Sequence, residues 1–371
     1  MALFDLSKKK ILFISPYANR TGSYKVLFNF ISFLNSRNIY EIVVHFPRIS
    51  NDLDEIKRER IKCIIFEKYF LGSSIVKKIL YRIIYYFRYS SLLLSYRPDV
   101  VYSNTICNFS QVIISKILGC KTIVHIHEGR KLIEKIKWKV KISNMFVDRY
   151  IVVSKYVNEL LNEYTGAVGE KIYNGVELLS LPERKNIDIV NIGVIGSIHL
   201  NKGQFIAIQA IEYLIANFDM NVRLNIIGEI ADRQYFQKLN GYINQYGLGS
   251  RIQFLGGLST VKEIYENLDI VIVPSYDESF SLVKIEAMSL KKIVIASNVG
   301  GIAENIEDGE NGLLFKVGDY IELADKIKIV IDDAVLRRKI TENAYKTVVD
   351  LYNIGNMNNK IVSVINQIAG I

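Results

Sequence analysis

The feature that most constrains this chain is an alternation of short β-branched apolar runs with longer helical patterns, sustained through nearly all of its 371 residues. In the first half Lys10–Ser15, Glu41–Phe46, Ile61–Phe66, Asp99–Ser103, Lys121–His127, Arg149–Val153 and Lys171–Tyr173 read as strands. Ser23–Ser36, Ile75–Tyr96, Phe109–Leu118, Lys131–Met145 and Lys155–Tyr164 read as the helices between them. The polar stretch Ser180-Leu-Pro-Glu-Arg-Lys-Asn186 then breaks the pattern. It restarts at Ile189–Ile195 and continues with strands at Arg223–Ile227, Ile252–Leu255, Asp269–Val273, Lys291–Ala296 and Gly312–Phe315. Strands that alternate with helices build parallel sheets covered on both faces. The expected fold class is therefore α/β, with two doubly wound, Rossmann-like domains facing across a cleft. Residues 1–180 form the first, 181–187 the linker and 188–350 the second, while 351–371 make a helix that returns to the first. Ligands of such sheets bind at the carboxyl ends of the strands.

One of those ends carries Pro274-Ser-Tyr-Asp-Glu-Ser-Phe-Ser-Leu-Val-Lys-Ile-Glu286. Glu278 falls in the strand-to-helix turn and Glu286 about a turn into the helix. Eight residues of helix rise about 12 Å, whereas the paired carboxylates of a glycosidase flank one bond at roughly 5–9.5 Å. This spacing suits holding opposite ends of a long ligand, with the amides of Phe280 to Leu282 aimed at an anion between them. A nucleotide diphosphate sugar has that shape.

A second strand end carries Gly193-Val-Ile-Gly-Ser-Ile-His-Leu-Asn-Lys-Gly203. Gly196 and Gly203 permit close backbone approach, and Lys202 sets a cation beside a helix start, which together make a phosphate cradle. The run is not the G-x-G-x-x-G of a nicotinamide site. Val299-Gly-Gly-Ile-Ala-Glu304 offers two more glycines after a strand. In the first half, Val124-His-Ile-His-Glu-Gly129 puts His125 and His127 on one face of a strand. No third ligand is evident there and no Asp-x-Asp lies at a strand end, so no metal is expected.

Composition narrows the class. Apolar content of 50% and charged content of 23% fit a globular chain. The cysteines Cys63, Cys107 and Cys120 form no close pair, which fits a reducing compartment. No signal-peptide pattern and no run of about 18 apolar residues is present, and the chain reads as cytoplasmic. The net charge of +9 is uneven: no acidic residue falls between Lys68 and Pro98. There Lys68, Lys77, Lys78, Arg82, Arg88 and Arg97 interleave with Tyr69, Phe70, Tyr81, Tyr85, Tyr86, Phe87 and Tyr89. Lys131–Lys141 adds a second basic segment. Two readings stand, a solvated helix face with its apolar side in the core and an anionic membrane surface. Nucleic acid is the least favoured, because charge is its only signal.

Taken in order, these motifs resemble the retaining glycosyltransferases of family 4, which have the GT-B fold. The resemblance runs over nearly the whole chain and is strongest from Ile189 to Phe315. It rests on Glu278-x7-Glu286, on Gly196 with Lys202-Gly203, and on Gly300-Gly301-x-x-Glu304. Looser matches are Pro98-Asp-Val-Val, His127-Glu128, Val152-Val-Ser154 and Tyr173-Asn-Gly-Val176. The resemblance implies that Glu278 contacts sugar hydroxyls and Glu286 the ribose. Lys202 and the amides near Ser281 and Leu282 would hold the diphosphate, with Gly196, Ser197, Gly203, Ser279, Phe280 and, in the first domain, Gly22 also lining the donor site. His127 would lie near the transferred sugar. Transfer would be front-face and metal-independent, with no cofactor beyond the nucleotide sugar and UDP favoured as its base.

The chain departs from the family pattern in three places. Ser197 stands where many members have Arg, Asn19-Arg-Thr-Gly-Ser23 holds one glycine where many have a pair, and Ser281 stands where Gly is common. Arg20 is the residue available to compensate in the first loop.

The expected activity is hexosyl transfer to a glycan or lipid-linked acceptor at the cytoplasmic face of the cell membrane, in the building of surface polysaccharide. An epimerase or glycosyl phosphorylase of similar architecture, and a catalytically silent sugar-nucleotide-binding protein, remain as alternatives. The intact Glu278, Glu286 and Lys202 speak against silence.

Overall fold

The computed structural model describes residues 8–16, 22–47, 58–66, 75–181, 189–258 and 260–370. Asn19, Arg20, Lys68, Tyr69, Phe70 and the 182–187 part of the expected linker lie outside them. The chain divides into two compact units, Met1–Asn174 with Gly355–Ile371, and Gly175–Ile354.

The first unit is built on a seven-stranded sheet in the order β3-β2-β1-β4-β5-β6-β7. Its strands are β1 (Lys10–Ile14), β2 (Glu41–Phe46), β3 (Lys62–Ile65), β4 (Val100–Ser103), β5 (Lys121–Ile126), β6 (Arg149–Val152) and β7 (Glu170–Lys171). The second unit has six strands in the order β10-β9-β8-β11-β12-β13. These are β8 (Val190–Ile195), β9 (Val222–Ile227), β10 (Ile252–Gly256), β11 (Ile270–Val273), β12 (Ile293–Ser297) and β13 (Leu313–Phe315). Neighbouring strands pair parallel in both sheets. Strand order reverses beside β1 and β4 in one unit and beside β8 and β11 in the other. Such reversals are where an open α/β sheet leaves a crevice for ligand.

The sequence builds these sheets around central strands buried on both faces. Ile11 to Ile14 and Val271 to Ile272 are essentially inaccessible, as continuous β-branched runs require in a parallel sheet. Register is fixed by an aspartate just before a strand. Asp99 Oδ2 accepts the Lys10 amide at 2.8 Å, Asp148 Oδ2 that of Thr122 at 2.8 Å, and Asp269 Oδ2 that of Asn191 at 2.8 Å. Each carboxylate satisfies an N–H at the start of the adjacent strand, a charge-assisted bond stronger than a neutral one.

In the second unit, helix Gln204–Phe218 is apolar nearly all round and packs between β9 and helix Tyr320–Asp332. The looser motifs also find local causes. Ser154 caps helix Lys155–Thr165, its Oγ accepting the Val157 amide at 3.1 Å. Gly175 faces Ile354, whose Cα would stand 2.6 Å from an added Cβ. There the outgoing and returning passes of the chain pair, Val176 N–H donating to Tyr352 O at 2.9 Å.

Helix Ile75–Tyr96 in the first unit has two apolar faces. Tyr85, Tyr89, Leu92, Leu93 and Tyr96 enter the core. Ile75, Val76, Ile79, Leu80, Ile83, Ile84 and Phe87 recur at helical spacing on the other side and are 44–77% exposed. Exposed Lys77, Lys78, Arg82 and Arg88 fall between them in sequence and lie outside the exposed apolar stripe around the helix. Among the described residues no helix is long and apolar enough to cross a membrane.

Candidate active site

The loop after β8 shows why glycine is needed where it stands. Gly196 has φ +139° and donates its N–H to Ile227 O at 2.8 Å. An added Cβ would be in ordinary contact with the Lys202 stem, 3.5 Å from its Cε, so it is the φ that calls for glycine. Gly203 has φ +66°, and an added Cβ would sit 2.0 Å from Pro274 O. The start of helix Gln204–Phe218 is thus pressed against the loop after β11, and no L-side chain fits between them.

Polar bonds clasp the same two loops. Asn201 Nδ2 donates to Asp277 O at 2.7 Å, and the Tyr276 amide donates to Asn201 O at 2.9 Å. Gln204 Nε2 holds Ser197 O at 3.0 Å. The outcome is contact between the expected phosphate cation and the expected sugar carboxylate: Lys202 Nζ lies 2.5 Å from Glu278 Oε2, with 26% and 17% of their side chains exposed.

The chain then turns through Ser279, Phe280 and Ser281 into helix Leu282–Ser289. Phe280 is buried edge-on to Tyr352, with ring centroids 5.5 Å apart. Ser281 is the N-cap, its Oγ accepting the Lys284 amide at 3.3 Å. Its φ of +77° lies in the region that favours glycine, so the departure at this position stores backbone strain. The first amides of a helix have no intrahelical acceptor and carry the positive end of its dipole. Glu286 lies one turn in and accepts the Tyr265 hydroxyl at 2.8 Å. That bond orients its carboxylate.

The sequence reading passed over Lys284, which stands between the two glutamates. It is fully buried. Its Nζ donates to the carbonyls of Gly301 at 3.3 Å, Ile302 at 2.9 Å and Glu304 at 3.1 Å, pinning the Gly-Gly turn to the helix. Burial pulls its pKa down to about 7 against the opposing pull of Glu304 and Glu278. Tyr265 was missed as well. Gly228 (φ +153°) was a third omission, and its added Cβ would sit 2.1 Å from Gly196 O.

In the first unit, Gly22 begins helix Gly22–Arg37 and is exposed. His127 follows β5, its ring 4.1 Å from that of His125. His127 Nε2 lies 3.1 Å from Asn104 Oδ1, an acceptor, so that nitrogen carries the proton. Burial pushes its pKa down to about 3, keeping it neutral. Glu128 turns inward, accepting from Thr105 Oγ1, from the Ile106 amide at 3.4 Å and from the His127 amide at 3.1 Å. Its burial raises its pKa. It braces the ends of β4 and β5 against each other, and so positions His127. Asn104 and Thr105 escaped the sequence reading, although both follow the strand beside the reversal. Among the described residues, no cluster of three or more His, Cys, Asp or Glu side chains is arranged to hold a metal ion.

Comparison with known proteins bears on both units. Residues 22–178 match the model of glycosyltransferase family 4, and residues 182–347 that of glycosyl transferases group 1. An uncharacterized glycosyltransferase of Methanocaldococcus jannaschii is 34% identical over 199 residues, covering 53% of each chain. An α-1,4-N-acetyl-D-galactosaminyltransferase of Campylobacter jejuni that acts on an undecaprenol-diphosphate-linked glycan is 31% identical over 151 residues, 40% of this chain and 41% of its own. The chain spans about half or less of the length of these curated relatives. Among solved structures, Anabaena Alr3699/HepE in complex with UDP and glucose aligns with TM-score 0.84 at 22% identity, covering 96% of this chain and 99% of its own.

Proposed function

As the chain belongs to the family 4 glycosyltransferases, with the two-domain α/β fold they share, we propose that it moves a hexose from a nucleotide diphosphate sugar to a glycan or lipid-linked acceptor, with retention and without a metal ion. The observation that carries this reading is the Lys202–Glu278 pair, set at a strand-order reversal between the Gly196–Gly203 loop and the start of helix Leu282–Ser289. It puts a cation for phosphate and a carboxylate for sugar hydroxyls side by side, next to open helix amides. Glu286, held by Tyr265, takes the ribose. His127 takes the transferred sugar as a neutral hydrogen-bonding group. Gly22 opens the helix on the acceptor side.

In this reading the bond between the anomeric carbon and the phosphate oxygen breaks while the acceptor oxygen bonds that carbon from the same face. The acceptor proton passes to the departing phosphate oxygen, and Lys202 with the helix dipole stabilises the charge that develops there. No protein nucleophile takes part. Alr3699/HepE was solved with UDP and the Campylobacter relative acts on a polyprenol-linked glycan, which supports UDP as donor base and surface polysaccharide as the product class. The exposed apolar stripe of helix Ile75–Tyr96, with the basic residues beside it, supports a peripheral position on the anionic inner face of the cell membrane. The basic helix Arg130–Ser143, with exposed Trp138, adds to it.

The experiment is thermal unfolding of the full chain with UDP, GDP and ADP, first with a chelator and then with added divalent metal. A ligand at about 100 times its dissociation constant stabilises by about 2.7 kcal/mol. A shift with one nucleotide in chelator is the expected result. A folded protein that responds to none of them would refute the donor site, and a shift only with metal would refute metal independence.

A further inference from the structure

Among the described residues, Lys284 is the one Lys, Arg, Asp or Glu without exposed surface. Burying an ammonium is costly unless its donors are all met and its charge is answered. Its donors are met by the three carbonyls of the Gly301–Glu304 turn. The rings of Phe280 and Tyr352, with centroids 5.2 and 5.7 Å from Nζ, offer further weak compensation. No carboxylate closes on it. Such a helix position in an apolar run, Leu-Val-Lys-Ile-Glu, would ordinarily hold leucine or alanine.

Its place gives the charge a use. Lys284 contributes the amide that Ser281 caps, so its stem rises from the first turn of the helix whose amides face the donor. Glu278 and Glu304 both act on its charge. On the opposite loop Ser197 brings no cation, which leaves Lys202 as the charged partner there, itself held by Glu278. We propose that Lys284 is a positioning and charge-supplying residue for the donor: it pins the Gly301–Glu304 turn to the helix and sets a positive charge beneath the diphosphate without touching it. This inference rests on the donor site proposed above.

A consequence follows for proton binding. The ammonium is poised near pH 7 in the free protein. A diphosphate overhead favours the protonated form, so its binding takes up a proton and raises that pKa. Affinity is therefore highest below pH 7 and falls as pH rises above it, by up to about tenfold per unit until the raised pKa is passed. The titratable groups set against Lys284 are Glu278 from the loop after β11, Glu304 from the turn, and Tyr352 at the end of helix Ala334–Leu351. Lys202 stands one step away on Glu278.

The test is calorimetry of UDP binding to the full chain at pH 6.5, 7.5 and 8.5 in two buffers of different ionisation enthalpy. A terminal phosphate with its last pKa near about 6 is ionised at the two higher values, so uptake there belongs to the protein. The expected results are net proton uptake at pH 7.5 in the wild type, none in Lys284→Met, and about tenfold weaker binding by that variant at pH 6.5. Adding Ser197→Arg to Lys284→Met restores affinity but not the pH dependence. A wild type that binds UDP with no proton uptake overturns the inference, whether or not the variant folds. So does a folded variant that keeps the uptake, or one that the arginine fails to rescue, since a purely structural pin would behave that way. Absence of UDP binding in the wild type, by contrast, removes the donor site itself.

Discussion

Placing Glu at positions 79 and 83 tests whether helix Ile75–Tyr96 rests on a bilayer. Seven side chains, Ile75, Val76, Ile79, Leu80, Ile83, Ile84 and Phe87, are on average about 60% exposed. Full burial of such a side chain is worth about 1.5–3 kcal/mol, so the share still in water is worth roughly 1–2 kcal/mol for each. If the interface covers half of that share, the gross gain is about 4–7 kcal/mol, before the cost of docking. Lys77, Lys78, Arg82 and Arg88 add about 1 kcal/mol each where they lie close to anionic lipid. Ile79→Glu with Ile83→Glu removes two apolar anchors and sets two negative charges against the surface, a loss of about 3–4 kcal/mol. That is at least a hundredfold in partitioning. The assay is co-sedimentation with vesicles of neutral lipid alone and of neutral plus anionic lipid. Wild type is expected to pellet with the anionic vesicles and to be released by 1 M salt, where the screening length falls to about 3 Å. The double variant is expected in the supernatant. Indifference of the wild type to lipid charge, or equal pelleting by the variant, would refute the reasoning and return this face to solvent.

Two predictions concern the donor side. Glu278→Gln keeps the shape of the side chain and removes the charge opposite Lys202; turnover should drop about a hundredfold, as for loss of charged hydrogen bonds worth about 1.5–3 kcal/mol, and the melting temperature should fall because the half-buried Lys202 loses its counter-ion. Unchanged turnover would deny the carboxylate its place on the sugar. Ser281→Gly should raise stability by about 0.5–1 kcal/mol, since relief of a positive φ outweighs the added freedom of the unfolded chain and the weak cap. Ser281→Ala keeps the strain and loses the cap, so it should melt below wild type; a reversed order of the two variants in thermal unfolding would show that the turn is unstrained.

The fold was legible because the central strands are short, β-branched and buried on both faces, which leaves little room for another reading. The ends are where the reading and the structure part. Lys291 and Lys292 looked like the start of a strand, yet the strand begins at Ile293. Lys291 has φ +54° and follows the last turn of helix Leu282–Ser289, so the connection consumes both lysines. Lys171–Tyr173 likewise shrank to Glu170–Lys171, an edge pair too short for its composition to define. Helix Ile75–Tyr96 was found with its bounds, and the structure divides its apolar residues into a buried set and an exposed one. The two sets adjoin around the helix, the exposed one lying mostly in its first half. The buried set holds the tyrosines because the core at that place is polar: Tyr85 receives Gln111 Nε2 at 2.9 Å and lies 3.0 Å from His45 Nε2, and Tyr89 lies 2.7 Å from Ser115 Oγ.

The site divides by the same logic of near and far. Glu278, Lys202 and the glycines were singled out because each stands in a turn between a strand end and a helix start, and loop glycines with positive φ leave a local mark. Lys284 and Tyr265 were missed because what gives each its role is remote: three carbonyls 17 to 20 residues on for the lysine, and a carboxylate 21 residues on for the tyrosine. A lysine in a helix usually turns its head to water, and nothing local says otherwise here. A signal was nonetheless present. In Leu282-Val-Lys-Ile-Glu-Ala-Met-Ser-Leu290 the lysine interrupts a helix that follows a buried strand and has few polar positions to spare. A helix so apolar has its faces covered, and a cation within it must be met by carbonyls or carboxylates from elsewhere. The turn best supplied with unpaired carbonyls near that helix is the one with paired glycines, Gly300-Gly301, since a chain that bends so tightly cannot bond all of its own carbonyls. The pairing of Lys284 with that turn could therefore have been argued from composition and fold class together, and it ties the Gly-Gly-x-x-Glu element to helix Leu282–Ser289 by a charge rather than by packing alone.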